Sequence, residues 1–362
     1  MTINGNLIAV SGFLNGTAAE EICGLFTENI VYVLDFSEVT GVNFAALRTL
    51  LSCRRSGSRF CIINAPSEVA ERFEDTGVSS FINICRKPRP LKLEQYSEFG
   101  ASFMSKAYNS EDGDSMIKVY GANVPKWVVA QEKAVARSVM VFGLNTPLVG
   151  TIYDDGARTA LDFERIEGKR SFSRIISEEP ERLEEISRRF ARMCKQLHNT
   201  KCDTGIFADR KVYYRQTVLR STAINDEERK KVLTFIDSIP DATTCLHGDM
   251  QLSNVITNGK EDLWIDLSDF GYGYPMLDMG MWYFLCILNV EEITFDLFHL
   301  HKEDMARIWD CFIEEYFGAD TAAKKAEVAA GVEKYAALHM LYLGSNYEFK
   351  PGMMEYIREK IL

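Results

Sequence analysis

One stretch constrains this chain more than any other: His247-Gly248-Asp249-Met250-Gln251-Leu252-Ser253-Asn254, followed by Ile265-Asp266-Leu267. A carboxylate stands five positions before an amide, and a second carboxylate follows the amide. Asp249 can accept a proton from a hydroxyl, while Asn254 offers a neutral oxygen and Asp266 a charged one to a hard cation that prefers oxygen ligands. An ordinary turn with polar caps is the plain alternative, but it gives no reason for acid, amide and acid in that order.

The flanking residues say what local structure carries the motif. Thr243-Thr244-Cys245-Leu246 reads as a short buried strand entering the loop. Val255-Ile256-Thr257 and Leu263-Trp264-Ile265 read as two strands joined by Asn258-Gly259-Lys260-Glu261-Asp262. With a five-residue loop, Thr257 pairs with Leu263 and Asn254 falls opposite Asp266, roughly 5 Å apart at Cβ. A two-residue Asn-Gly turn shifts the register and separates them. The set suits kinase-type phosphoryl transfer, where metal ions neutralise a nucleotide's phosphates and a placed carboxylate receives the hydroxyl proton.

On these residues the chain resembles the aminoglycoside phosphotransferase and choline kinase family, relatives of the protein kinases. The resemblance implies an α+β bilobal protein-kinase-like domain over residues 89–362, with an N-lobe at about 89–163 and a C-lobe at about 168–362. It implies ATP and Mg2+ as cofactors, a catalytic base at Asp249, metal ligands at Asn254 and Asp266, and a buried structural carboxylate at Asp278. His247 matches the family's bracing histidine. Gly273-Tyr274-Pro275-Met276-Leu277-Asp278 departs from the family's Gly-Asp-Pro-x-x-Asp, with Tyr274 in place of the first acid. Ser268 also departs, so the loop after Asp266 is expected to bend differently.

A second half that holds the nucleotide is expected upstream. Ser115-Met116-Ile117-Lys118-Val119-Tyr120 alternates like a strand and carries one lysine, and Pro125 opens a helical stretch to about Phe142. Glu132 is the only acidic residue between Ser115 and Tyr153, so it alone can orient Lys118 against the α- and β-phosphates. Phe99-Gly100-Ala101-Ser102-Phe103-Met104-Ser105 stands where the family has its phosphate-covering loop. Gly100, Ala101 and Ser102 are the small residues whose backbone can approach phosphate oxygens. Ala160 to Gly168 resembles the connector between lobes, where the backbone from Glu164 to Ile166 meets adenine.

The chain has 362 residues, 46% of them hydrophobic, which suffices for two or three domains with proper cores. No apolar run approaches membrane-spanning length and the amino terminus does not read as a signal peptide, so a cytoplasmic protein without a membrane partner is expected. Nine cysteines without Cys-x-x-Cys spacing argue against a disulfide framework and a zinc site. A net charge of −11 disfavours nucleic acid and favours a cationic substrate.

Residues 1–88 alternate strand and helix patterns: Leu7 to Val10, a helical Thr17 to Phe26, Ile30 to Phe36, a helical Phe44 to Cys53, Arg59 to Ile63, and a helix from Ser67 to about Phe81. That alternation indicates a small α/β domain with a largely parallel sheet. Gly12 to Glu21 and Val33 to Thr40 resemble the sulfate transporter and anti-sigma factor antagonist (STAS) domain. At the position of that family's phosphoacceptor serine stands Ala45, so the usual switch is absent. The domain is expected to pack on the kinase, to self-associate or to meet a protein partner. Pro88-Arg89-Pro90 reads as a stiff connector, leaving residues 89–362 able to fold and act alone.

Helical patterns dominate the carboxy-terminal third. Glu181 to Leu197 is expected to be a helix ending at His198, itself a buried structural residue. The aromatics from Trp282 to Phe317 read as core, with an aromatic cage for a quaternary amine as the alternative. Glu291, Glu292 and Asp296 could meet a cationic acceptor. The combined reading is an ATP- and Mg2+-dependent kinase of a small hydroxyl compound, an amino sugar, amino alcohol or similar metabolite. The rival is a regulatory nucleotide-binding pseudokinase that signals through the STAS-like domain.

Overall fold

The computed structural model describes residues 1–27, 30–101, 105–111, 113, 115–205 and 207–362. It divides into two compact units, Met1–Ile166 and Glu167–Leu362. Ser102, Phe103 and Met104 of the expected phosphate loop lie outside the described residues.

The first unit begins with β1 (Thr2–Asn4), β2 (Leu7–Leu14), α1 (Gly16–Cys23), β3 (Val31–Val42), α2 (Phe44–Arg55), β4 (Arg59–Ala65), α3 (Ser67–Asp75) and β5 (Ile84–Arg86). The strands form one sheet in the order β1-β2-β3-β4-β5, parallel from β2 to β5. Successive crossovers that step in one direction, all right-handed, place their helices on one face. Accordingly Ile8, Leu34, Phe60 and Ile62 share a core with Ile22, Leu50 and Phe73 from the three helices. The helix expected to run to about Phe81 stops at Asp75, because Gly77 takes a left-handed conformation and only a 3-10 turn at Val78–Ser80 follows.

Residues alternate across a strand, so Val33, Cys61, Ile63 and Cys85 point to the other face. A parallel sheet needs both faces covered. The cover is α4 (Lys126–Val141), whose Val129 and Ala130 join those four residues in one apolar cluster with Tyr120, Ile152 and Leu161. The Cys61 thiol donates to Gln131 Oε1 at 3.5 Å and the Cys85 thiol to the Ala130 carbonyl at 3.8 Å. Burial from more than one side leaves half of the positions of α4 buried, Glu132 among them.

The rest of the unit is a second sheet of β6 (Arg89–Pro90), β7 (Tyr96–Ala101), β8 (Ser105–Ser110), β9 (Ser115–Tyr120), β10 (Val149–Asp154) and β11 (Thr159–Glu164), in the order β6-β10-β11-β9-β8-β7. One sequence expectation changes here. Arg89–Pro90 is an edge strand parallel to β10, a position that tolerates proline because the missing N–H faces outward. Residues 1–88 and 89–166 share buried surface through α4, and the division at 166/167 falls between the bounds expected for the two lobes.

The second unit comprises β12 (Arg170–Ser171), α5 (Phe172–Glu178), α6 (Leu183–Asn199), α7 (Arg210–Arg220), α8 (Asp226–Ser238), β13 (Thr244–Leu246), β14 (Val255–Thr257), β15 (Asp262–Trp264), β16 (Gly271–Gly273), α9 (Met276–Tyr283), α10 (Glu291–Phe298), α11 (Lys302–Phe317), α12 (Ala322–Asn346) and α13 (Met353–Lys360). Trp282 packs edge-on to Phe190 at 5.0 Å, and Phe312 lies 5.7 Å from Phe190, so these aromatics are core. Among the described residues no helix is long and apolar enough to cross a membrane.

Candidate active site

In the first unit, β9 and α4 bring Lys118 and Glu132 together. Lys118 Nζ lies 3.0 Å from Glu132 Oε1, and Glu132 is 6% exposed. The Tyr120 hydroxyl donates to the other oxygen, Oε2, at 2.7 Å. Sequence reasoning missed Tyr120, although its place two residues after Lys118 puts both side chains on one side of the strand. Gly100 sits in β7 beside a register shift between Glu98 and Gly100, and Ala101 pairs with Lys106. Glu164 ends β11. Its N–H donates to the Leu148 carbonyl at 2.8 Å and its carboxylate accepts from the Leu148 N–H at 3.0 Å. The first of these bonds engages the backbone donor of Glu164, so within the expected Glu164-to-Ile166 segment an N–H for adenine would come from Arg165 or the buried Ile166. Ala45 is exposed in the first turn of α2, after the Asn43 cap.

In the second unit, β13 delivers the loop that carries Asp249. Gly248 has φ +79°, and a side chain there would collide with the Asp269 carbonyl, so glycine is required on both counts. Asp278 anchors the loop from beneath. It accepts from the His247 N–H at 2.7 Å, the Gly248 N–H at 3.0 Å and His198 Nε2 at 3.2 Å. Burial alone would raise its pKa, but the His198 bond, the two nearby imidazoles and the backbone donor hold the carboxyl below its ordinary value. His198 Nε2 donates to Asp278, leaving Nδ1 to accept from the Tyr316 hydroxyl at 2.8 Å.

Both nitrogens of the buried His247 are also engaged. Nε2 lies 3.1 Å from the Ile265 carbonyl and therefore donates, while Nδ1 accepts from the Asp249 N–H at 3.3 Å. The ring ties the Asp249 loop to the strand before Asp266, an arrangement that suits bracing better than proton transfer. Asp249 is partly exposed. Its Oδ2 accepts from Asn254 Nδ2 at 2.8 Å and Gln251 Nε2 at 3.0 Å. Burial raises the Asp249 pKa, with Asp266 adding to the rise, against the opposing pull of His247 and the two amides. Gln251 is a second residue the sequence reading passed over. Arg210 is a third: buried, it reaches Asp269 Oδ1 at 3.1 Å and so holds the segment after Asp266. No spacing in the sequence marks it.

The hairpin register differs from the expected one. Thr257 pairs with Asp262, Ile256 with Leu263 and Val255 with Trp264. Asn258 Oδ1 accepts from the N–H groups of Lys260 and Glu261, and Thr257 donates to the Glu261 carbonyl. Those side-chain bonds close the turn in four residues. Asn254 therefore faces Ile265, whose N–H reaches the Asn254 carbonyl at 2.9 Å, and Asp266 follows in a left-handed conformation with φ 56°. Asp266 comes near Asp249 by this backbone turn, and not by a cross-strand pairing with Asn254.

The donor set fits a magnesium ion bound with a nucleotide. The Asn254 amide nitrogen is committed to the backbone and side chain of Asp249, which leaves its oxygen as the atom offered to a cation. Together with the Asp266 carboxylate, that supplies the one or two protein ligands magnesium takes when phosphates and water complete its shell. Among the described residues no group of three or more His, Cys, Asp or Glu forms a metal cluster of its own.

No protein-family model matches the sequence, and no curated protein matches it. Solved structures do match. A thermostable mutant of aminoglycoside phosphotransferase APH(4)-Ia, in ternary complex with ADP and hygromycin B, gives a TM-score of 0.53 at 13% identity, over 74% of this chain and 93% of that one. A second such mutant, bound to AMP-PNP and hygromycin B, gives 0.52 at 13% identity over the same shares. A choline/ethanolamine kinase family protein from Mesorhizobium loti matches at 15% identity and a TM-score of 0.46, over 74% and 85%. The fold over most of the chain is the kinase-like fold of aminoglycoside phosphotransferases.

Proposed function

We propose that this chain is an ATP- and Mg2+-dependent kinase that transfers the γ-phosphoryl group to a hydroxyl of an amino sugar, amino alcohol or similar metabolite. The observation that carries the reading is the Asp249 carboxylate, held by Asn254 and Gln251 through one oxygen, beside Asp266. The other oxygen is left to receive a hydroxyl proton. Lys118, oriented by Glu132, binds the α- and β-phosphates, and the backbone from Glu164 to Ile166 meets adenine. Asn254 and Asp266 hold magnesium, which when bound neutralises charge on the phosphates. Gly100 and Ala101 support the phosphates from the β7 end.

The solved neighbours named as aminoglycoside phosphotransferases, bound to ADP or AMP-PNP with hygromycin B, agree with this chemistry. A net charge of −11 favours a cationic acceptor. Residues 1–88 are read as a STAS-like module that Ala45 deprives of a phosphoacceptor. The test is ADP release by the full chain across amino alcohols, aminoglycosides and sugars. Asp249→Asn should bind AMP-PNP normally but lower turnover by roughly 10²–10⁴, the usual contribution of a placed general base. Nucleotide binding without acceptor-dependent ADP release would favour the pseudokinase reading, to which the packing of residues 1–88 on α4 lends support.

A further inference from the structure

The sheet of residues 1–88 covers one side of α4, the helix that also carries Glu132. Tyr120 belongs to both settings. Its ring is 4% exposed, in the cluster of Val33, Cys61, Ile63 and Cys85, while its hydroxyl donates to Glu132 Oε2 at 2.7 Å. Each Glu132 oxygen thus has its own partner: Tyr120 on Oε2 and Lys118 on Oε1, at 3.0 Å. Lys118 Nζ also lies 5.2 Å from the centre of the Tyr120 ring. A carboxylate held at one oxygen only can rotate about its side-chain torsions; held at both, it presents Lys118 in one orientation.

We propose that Tyr120 is a positioning residue for the phosphate-binding lysine, and that the amino-terminal sheet acts as a built-in brace that holds Tyr120 and α4 in place. On this reading the module has a role that needs no phosphoacceptor at Ala45. Its apolar face replaces the on/off switch with a permanent support, and any ligand or partner that shifts the sheet would shift nucleotide affinity. The proposal rests on the assignment of Lys118 to the nucleotide phosphates.

The experiment measures AMP-PNP affinity by calorimetry with the full-length chain in excess Mg2+. Tyr120→Phe keeps the ring and removes only the hydroxyl. It should weaken AMP-PNP roughly fivefold, the net worth of about one hydrogen bond, while the chain stays folded and melts only a few degrees lower, because Glu132 Oε2 loses a buried donor. In a Lys118→Met background the same change should have no further effect, because Tyr120 acts through the lysine. On the module side, Ile63→Ala trims the face toward α4, and Val69→Ala trims the opposite core. Ile63→Ala should weaken AMP-PNP and Val69→Ala should not. Unchanged affinity in Tyr120→Phe, or an equal loss in the Lys118→Met background, overturns the positioning role. Equal effects of Ile63→Ala and Val69→Ala overturn the brace. AMP-PNP binding that responds as expected, without ADP release on any acceptor, refutes the kinase reading and leaves this proposal intact. A wild-type chain that binds no AMP-PNP overturns both.

Discussion

Asp278 offers the sharpest test of how the second unit builds its site. Its carboxylate is 3% exposed and accepts from two backbone N–H groups of the Asp249 loop and from His198. Asp278→Ala leaves these three donors in the interior without their acceptor. Unpaired buried groups cost about 1–3 kcal/mol each, and removing one partner of a buried charged pair costs about 3–5 kcal/mol. These figures overlap rather than add, so a loss of about 4 kcal/mol is expected. Asp278→Asn keeps one oxygen for His247 and His198 and turns an NH2 toward the Gly248 N–H, for a loss of about 2 kcal/mol.

Urea unfolding followed by tryptophan fluorescence is a suitable assay, since the Trp264 ring lies tilted against that of His247, 5.0 Å between centres, and Trp282 lies in the same unit. The pH dependence has a definite sign. Because the folded Asp278 pKa is depressed, its stabilisation is present above the unfolded carboxylate value, about 3.9, and is lost as pH falls through the lower folded value. The gap between wild type and Asp278→Asn should therefore narrow under acid. Turnover should fall by about 10²-fold in Asp278→Asn, as expected when a loop that positions a reacting group moves by about 1 Å. Stability and turnover equal to wild type in Asp278→Asn would refute the reasoning, and so would a gap that persists at low pH.

Three further outcomes are expected. The raised Asp249 pKa means that kcat/KM falls with decreasing pH at a higher pH than for an ordinary carboxylate, and that Asp249→Asn loses this limb in a pH–rate profile. The same raised value favours folding below the unfolded pKa and ceases to do so as pH rises through the folded one, so Asp249→Asn should unfold no more readily than wild type at neutral pH. Titrating Mg2+ at fixed nucleotide should show Asp266→Ala more impaired than Asn254→Ala, because a charged ligand contributes more to a hard cation than an amide; equal effects contradict the assignment. The fragment 89–362 exposes the Val129 and Ala130 face of α4, so it should aggregate or bind AMP-PNP more weakly than the full chain. A soluble monomer with full-chain affinity counts against that expectation.

Local chemistry was readable from the sequence. The order His247-Gly248-Asp249 with Asn254 and Asp266, the strand bearing Lys118, and the helix bearing Glu132 all follow from residue type and short-range periodicity, and the structure brings Lys118 and Glu132 together. The alternation in residues 1–88 correctly indicated a largely parallel sheet. Tertiary structure decided the rest. The hairpin closed in four residues because the Asn258 and Thr257 side chains capped the turn, which moved Asp266 off the cross-strand position. Periodicity predicts a strand but not the side-chain bonds that set its register. The sequence shows that the odd face of the first sheet is apolar, but not that α4, some 70 residues away in the chain, covers it. Tyr120, Gln251 and Arg210 gained their roles from partners distant in sequence or hidden by a loop's turn. An apolar or polar pattern states what must be buried or paired, and only the folded chain selects the partner.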